Sequence, residues 1–184
     1  MGALALVLGV AAGVLLIDQL AKAWVVANLP HGEAVDVLGE VLQFVFVRNP
    51  GAAFSMGGGV TWIFAILAAT VAVVIVVFAR RIRSLAWATV FGMLLGGTLG
   101  NLTDRLLREP GFGTGHVVDF IKLWGFPAIF NIADIAITAS MVLLVLLTLL
   151  GIGLDGTRQR KAVTSGEPPA VSRDEPPAVS RDEP

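Results

Sequence analysis

Across its first 154 residues the chain carries only 16 charged side chains, and four long stretches carry none at all: residues 1–17, 49–79, 84–103 and 135–154. An ordinary soluble domain is about 25% charged. A soluble surface built from so few charges would expose large apolar patches and aggregate. The scarcity excludes a soluble globular fold and makes an integral membrane protein the working class. Eleven further charges crowd into residues 155–184, so that segment differs in kind.

A helix needs roughly 20 apolar residues to cross a hydrocarbon core about 30 Å thick. The first stretch is slightly short, so its helix is expected to continue through Asp18 and Lys22, near residues 3–27. Those two residues stand four apart and can pair on one helical face, while Lys22 can also run its stem toward the interface. The second stretch opens with Asn49-Pro50-Gly51 and holds Gly57-Gly58-Gly59, turn-like runs that place its helix near 60–79. The third and fourth helices are expected near 84–104 and 128–152. Ala21-Lys22-Ala23 resembles a signal-peptide cleavage site, but no basic region precedes it and the apolar run is longer than usual for one. Myristoylation fails because Leu6 stands where Ser or Thr is needed.

Arg80, Arg81 and Arg83 lie between helices two and three with no acid among them, and Arg158, Arg160 and Lys161 follow helix four. Basic residues in short loops face the cytoplasm, so four spans with both termini inside are expected. Two outer loops of mixed charge result, near 28–59 and 105–127. In the first, Val41 to Val47 (VLQFVFV) is rich in β-branched and aromatic residues and reads as a strand, with Val35 to Leu38 as its partner across Gly39-Glu40. The fold class is therefore a mainly α membrane protein of four helices with a small β element in the first outer loop. Phe44, Phe46 and Trp62 suit interfacial positions.

The domain expected at 1–154 ends where the tail begins. From Pro168 the octapeptide PPAVSRDE repeats in tandem, and 155–184 reads as a disordered cytoplasmic tail. A net charge of -1 gives no reason to expect nucleic acid as a partner. There is no cysteine, which removes disulfides and thiolate chemistry, and with only His31 and His116 a histidine-rich metal centre is not expected. No cofactor is expected, and the chain is expected to act as a monomer among membrane lipids.

Polar residues inside or beside spans are costly and often mark function. One cluster is Asn49 in VRNPGAAFSM, where Gly51, Ala52 and Ala53 permit close backbone approach. A second is GGTLGNLTDRL, with Asn101, Asp104 and Arg105 at the end of helix three and Gly96, Gly97 and Gly100 suited to tight helix packing. The third comprises Asp119 in VVDFI, with Asn131 and Asp134 in FNIADIAI. Topology gathers all three at the outer end of the bundle. Asp104 has Arg105 beside it and reads as a structural carboxylate orienting that arginine. Asp119 and Asp134 lack such a partner, apart from Lys122 three residues beyond Asp119. Asp134 sits among Ile132, Ala133, Ile135 and Ala136, a setting that disfavours charge.

Two close carboxylates in a low-dielectric site share a proton. The ionised member can then activate water while the protonated one polarises a carbonyl, as in aspartic proteases. The bland alternative is that each caps a helix or pairs with Arg105 or Lys122, and spacing alone does not choose between them. A serine site would rest on Ser55 with His116 from another loop. No metal motif includes either aspartate.

At these motifs the sequence resembles the lipoprotein signal peptidase family, also called signal peptidase II. The resemblance covers about residues 14–140 in order: Asp18-Gln19 with Lys22, NPGAAFS from Asn49, GNLTDR ending at Arg105, VVDF with Asp119, and FNIAD ending at Asp134. It implies a bacterial inner-membrane aspartic endopeptidase that cleaves prolipoproteins before a diacylglyceryl-modified cysteine. It implies Asp119 and Asp134 as the catalytic pair and Asp18, Asn49, Asn101, Asp104, Arg105 and Asn131 as supporting residues. It also implies inhibition by cyclic peptides of the globomycin type. Two readings from other classes stand beside it, a small carrier using the same carboxylates as a proton relay and a structural assembly subunit.

Overall fold

A computed structural model of the protein describes residues 2–51 and 61–158. Four helices dominate it: α1 (Gly2–Asn28), α2 (Thr61–Ala79), α3 (Leu85–Leu107) and α4 (Ile132–Leu149). Each is long and apolar enough to cross a membrane. Between α1 and α2 lie β1 (Ala34–Asp36) and β2 (Leu42–Asn49); between α3 and α4 lie β3 (Val117–Leu123) and β4 (Ile129–Phe130).

α3 is the principal packing partner of the other three helices. Its glycines explain how they approach so closely. A Cβ on Gly96 would lie 2.7 Å from the Ala11 carbonyl oxygen of α1, and one on Gly97 would lie 2.6 Å from that of Ala133 in α4. Without lipid-excluded water to drive association, such small-residue contacts let backbones meet and gain dispersion energy. At the end of the bundle away from the strands, Val7, Ala11, Ala72, Ile75, Ala88 and Leu95 form one apolar cluster.

The four strands form a single antiparallel sheet in the order β1-β2-β3-β4. The loop between α1 and α2 contributes the expected pair of strands, with Val35 opposite Phe44. The loop between α3 and α4, expected to be a mixed-charge connector, instead supplies an inner strand and a short edge strand. Val47 stands opposite Asp119 and Asn49 opposite Val117, after a register shift between Phe44 and Val47. An irregularity of that kind bends a strand and re-aims its side chains. Because Ile129–Phe130 pair with β3, α4 starts at Ile132 rather than near 128.

Val25 of α1 packs with Phe46, Val118 and Phe120, fixing the sheet to the end of the bundle. Phe46 is therefore buried rather than interfacial, and Phe44 stacks edge-on between Trp24 and Phe120. Trp62 is half exposed, as an interfacial residue would be.

At the opposite end, the chain beyond α4 folds back over the start of α3. Trp87 Nε1 donates to the Ile152 carbonyl at 2.9 Å and Ser84 N to that of Leu154 at 3.0 Å. Asp155 accepts from Thr157 N within this turn, so the first residues of the segment read as tail belong to the folded region. The PPAVSRDE repeats lie outside the described residues, as do Ala52, Ala53, Ser55, Gly57-Gly58-Gly59 and Val60.

Candidate active site

Four elements converge where α3 and α4 meet the sheet. β3 carries Asp119, β2 carries Asn49, α3 carries Asn101 and Arg105, and the start of α4 carries Asn131 and Asp134. All but Asn131 line one cavity of about 830 Å³, within the range of pockets that hold substrates. The exposed flank of α4 at Ile135 and Thr138 continues the same wall.

The two aspartates are held by amides. Asp119 accepts from Asn131 Nδ2 on Oδ1 at 2.6 Å and from Asn49 Nδ2 on Oδ2 at 3.0 Å. Asp134 accepts from Asn101 Nδ2 on Oδ1 at 2.8 Å and from the Asn131 backbone on Oδ2 at 3.1 Å. Neither forms an ion pair among the described residues. The bland alternative holds in part, because Asn131 and Asp134 form a reciprocal capping box at the start of α4. That box leaves the second oxygen of Asp134 turned to Asn101, so capping does not exhaust its role. Each carboxylate oxygen can accept a second hydrogen bond, which leaves room for water. Asp119 is 3% exposed, and burial lifts its carboxyl to about 6. The hydrogen bond from Asn49 opposes that rise, the neighbouring charge of Asp134 adds to it, and the bond from Asn131 opposes it again.

The amides are themselves fixed from behind. Asn101 Oδ1 accepts from Lys22 Nζ at 3.0 Å and from Asn131 Nδ2 at 3.1 Å. An ammonium only donates, so it selects the amide orientation that turns Nδ2 toward Asp134. Asn49 Oδ1 accepts from Gly51 N at 3.0 Å, which turns its own Nδ2 to Asp119.

Behind this layer lies an ion cluster. Lys22, fully buried, contacts Asp18 at 2.9 Å and Asp104 at 2.8 Å. The α1 pairing of Asp18 with Lys22 is as expected, but the lysine does not run outward to the interface. Two buried carboxylates and Asn101 give its ammonium better partners than the headgroups would. Asp18 also accepts from Ala133 N at 2.9 Å, which ties α1 to the start of α4. A Cβ on Gly100 would come within 2.6 Å of Asp18, so only glycine admits that carboxylate.

Asp104 does not orient Arg105. It pairs with Lys22 and with Arg108 Nε at 2.6 Å. Adjacent helical residues diverge by about 100°, whereas residues four apart share a face, and that geometry selects Arg108. Arg105 turns the other way, donating to the Gly51 carbonyl at 3.0 Å and lying over the Phe64 ring at 5.2 Å. Its Nη1 is buried and finds no acceptor among the described residues.

Two contributions go beyond the sequence reading, which paired Lys22 with Asp18 and quoted Gln19 only within the family motif. Lys22 acts on the site through Asn101, and Gln19 bridges Asp18, Asp104 and the Gly100 carbonyl. The signal for both was present, since Gln19 and Lys22 belong to one polar run in an otherwise apolar helix. His116 does not line the cavity, and Ser55 lies outside the described residues. Among the described residues no group of three acidic or histidine side chains is placed to hold a metal ion.

Comparison with known proteins adds an independent finding. A family model described as signal peptidase (SPase) II matches residues 10–150. A lipoprotein signal peptidase of Leifsonia xyli subsp. xyli is 60% identical over 159 residues, which cover 86% of this chain and 74% of that protein. One from Streptomyces coelicolor is 49% identical over 77% of this chain and 69% of that protein. A bacterial membrane enzyme solved by the in meso method at 1.9 Å aligns with a TM-score of 0.68 at 30% identity, covering 78% of this chain and 92% of that one.

Proposed function

The chain belongs to the signal peptidase II family, and from that premise we propose that it works as an aspartic endopeptidase through Asp119 and Asp134. Membership makes it a peptidase that removes signal peptides from prolipoproteins, and a multi-pass protein of the bacterial membrane. Cleavage before a diacylglyceryl-modified cysteine is the finer reading.

One observation carries the choice of residues. Two carboxylates, Asp119 buried and Asp134 partly so, face one cavity, and each oxygen is held by an amide donor rather than a cation. Such a pair retains one proton between its members. The ionised carboxylate takes a proton from water as the water oxygen attacks the scissile carbonyl carbon. The protonated carboxyl gives its proton to the carbonyl oxygen, forming a neutral tetrahedral diol. As the diol collapses, the carbon–nitrogen bond breaks, the leaving amine takes the proton held by the first carboxylate, and a diol hydroxyl returns one to the second.

The supporting residues have distinct parts in this scheme. Asn49, Asn101 and Asn131 hold the carboxylates, Asp18 and Asp104 hold the framework behind them, and Arg105 offers its unused Nη1 to a substrate carbonyl. With Arg80, Arg81, Arg83 and Arg158 on the cytoplasmic side, both termini lie inside and the aspartates lie at the outer face. The apolar flank of α4 there lets a signal helix and its acyl chains approach from the bilayer.

A gel-shift assay with diacylglyceryl-modified precursor tests the reading. Wild type should cleave, a globomycin-type cyclic peptide should block it, and Asp119→Asn and Asp134→Asn should each be inactive while still folded in detergent. Cleavage at the wild-type rate by folded Asp134→Asn would overturn the aspartyl mechanism.

A further inference from the structure

A second cavity, of about 480 Å³, lies beside the first and shares Phe126 and Pro127 with it. Its other walls are Glu40 and Gln43 from the β1–β2 side and Lys122 to Gly125 from the end of β3. Resting on the peptidase reading above, we propose that this cavity is a subsite for the mature segment of the substrate, the polar chain that follows the lipidated cysteine.

Position, reach and chemistry favour that occupant. The substrate leaves the aspartates in two directions. One part is the membrane helix with its acyl chains, for which the flank of α4 at Ile135, Thr138 and Ala139 is suited. The other part must travel away from the bundle, and β3 runs that way, from Asp119 beside the catalytic cavity to Lys122 and Leu123 in the second one. A strand rises about 3.3 Å per residue, so the three or four residues of β3 from Asp119 to Lys122 and Leu123 span roughly 10–13 Å. An extended substrate covers the same distance with three to four residues of its own.

The walls suit peptide rather than lipid. Lys122 stands opposite Gln43 in the sheet and makes no ion pair among the described residues. Glu40 supplies the opposite charge at the mouth of the cavity, and Trp124, largely exposed, offers an apolar plate beside them. An ammonium and a carboxylate in one cleft repel acyl chains, because burying a charge against hydrocarbon is costly. They can serve the carbonyl and N–H groups of an extended polar chain. The Trp124 backbone N–H donates to the Val41 carbonyl at 3.1 Å, which joins the two turns that frame the cleft.

The test uses two diacylglyceryl-modified precursors with the same signal sequence, in detergent or bicelles. One ends a single residue after the cysteine, and the other continues with a polar segment long enough to reach the second cavity. With the whole enzyme, the longer precursor should have a kcat/KM roughly five- to tenfold higher, expressed mainly in KM. The Glu40→Ala/Lys122→Ala variant should lose that length advantage, and Trp124→Ala should lose part of it. Equal cleavage of both precursors by wild type would overturn the proposal. So would a double variant that slows both by the same factor, since that is the mark of general damage. In either case cleavage of the short precursor, and its loss in Asp119→Asn, would still report separately on the aspartyl mechanism.

Discussion

Four aspartates sit within one end of this bundle, and the protein treats them as two pairs. Asp18 and Asp104 share the buried ammonium of Lys22, and Asp104 also holds Arg108. Asp119 and Asp134 have no cation in contact among the described residues and are framed by asparagines and a backbone N–H. A carboxylate bound to a cation is committed to that partner, because removing its charge forfeits the pair. A carboxylate held only by amides keeps a proton within reach. The first pair is suited to architecture and the second to acid–base exchange, although all four are aspartates buried wholly or in part in a largely apolar chain.

Exchanging the charge in each pair separates these roles most sharply. Asp134→Asn should lower kcat on the order of 10⁴-fold or more while the protein still folds. Asp104→Asn should do the reverse. Breaking a buried ion pair by removing one partner costs roughly 3–5 kcal/mol, so its thermal unfolding should shift strongly. The fraction that folds should cleave within about tenfold of the wild-type rate, a difference of about 1.4 kcal/mol in transition-state energy. Thermal unfolding in detergent, run beside the cleavage assay, reads both quantities. Similar stability losses in the two variants, with similar rates, would erase the distinction.

Lys22 is where the two pairs touch, through Asn101. Lys22→Met should destabilise by a comparable several kcal/mol, since among the described residues it leaves Asp18 with no cation and Asp104 with Arg108 alone. The charge-balanced variant Asp18→Asn/Lys22→Met leaves Asp104 with Arg108 and should recover much of that stability. Its kcat should nonetheless stay about tenfold low, because only the neutral Asn131 amide then selects the orientation of Asn101. Full recovery of rate together with stability would confine Lys22 to architecture.

Much of this arrangement was legible along the chain, and what escaped has a physical pattern. Unbroken apolar runs located the helices because a bilayer demands length and lack of charge, both local properties. Asp18 with Lys22 was readable for the same reason, four residues apart on one helix. The partner of Asp104 was misread because adjacency in sequence is not adjacency on a helix. The strand at Val117 to Leu123 was missed because four of its first residues, Asp119 included, are buried, so no alternation of apolar and polar residues betrays it. The asparagine frame of the aspartates was legible only as a set of candidates. Its bonds join β2, β3, α3 and α4, and no local spacing encodes them.

The amide frame makes a prediction in pH. Asp119 is lifted to about 6, mainly by burial. Folding therefore holds its proton more tightly than the unfolded chain does. The stability this provides is full at pH below the usual carboxylate range and is lost as pH rises through about 6. In kcat/KM the pair should show a limb in the same region, belonging to both aspartates together. Asn49 donates to the charged form of Asp119 and so pulls against burial. Asn49→Ala should move the limb to higher pH, with a smaller loss of rate than removal of either aspartate. A limb that stays in place would mean that the asparagine holds geometry alone.

The smallest effect belongs to a third kind of pair. Arg48, beside Asn49 on the wall of the larger cavity, meets Glu109 at 2.5 Å, with side chains 41% and 80% exposed. Water screens both charges and competes for both, so an exposed pair contributes about 0–1 kcal/mol. Glu109→Gln should leave the unfolding midpoint nearly unchanged, and whatever shift appears should fade as salt is raised. The same salt series should move the deficit of Asp104→Asn much less, because Asp104 and its partner Lys22 are fully buried. Distance is nearly the same in the two pairs, so any difference in their salt response isolates burial as the property that makes one of them structural.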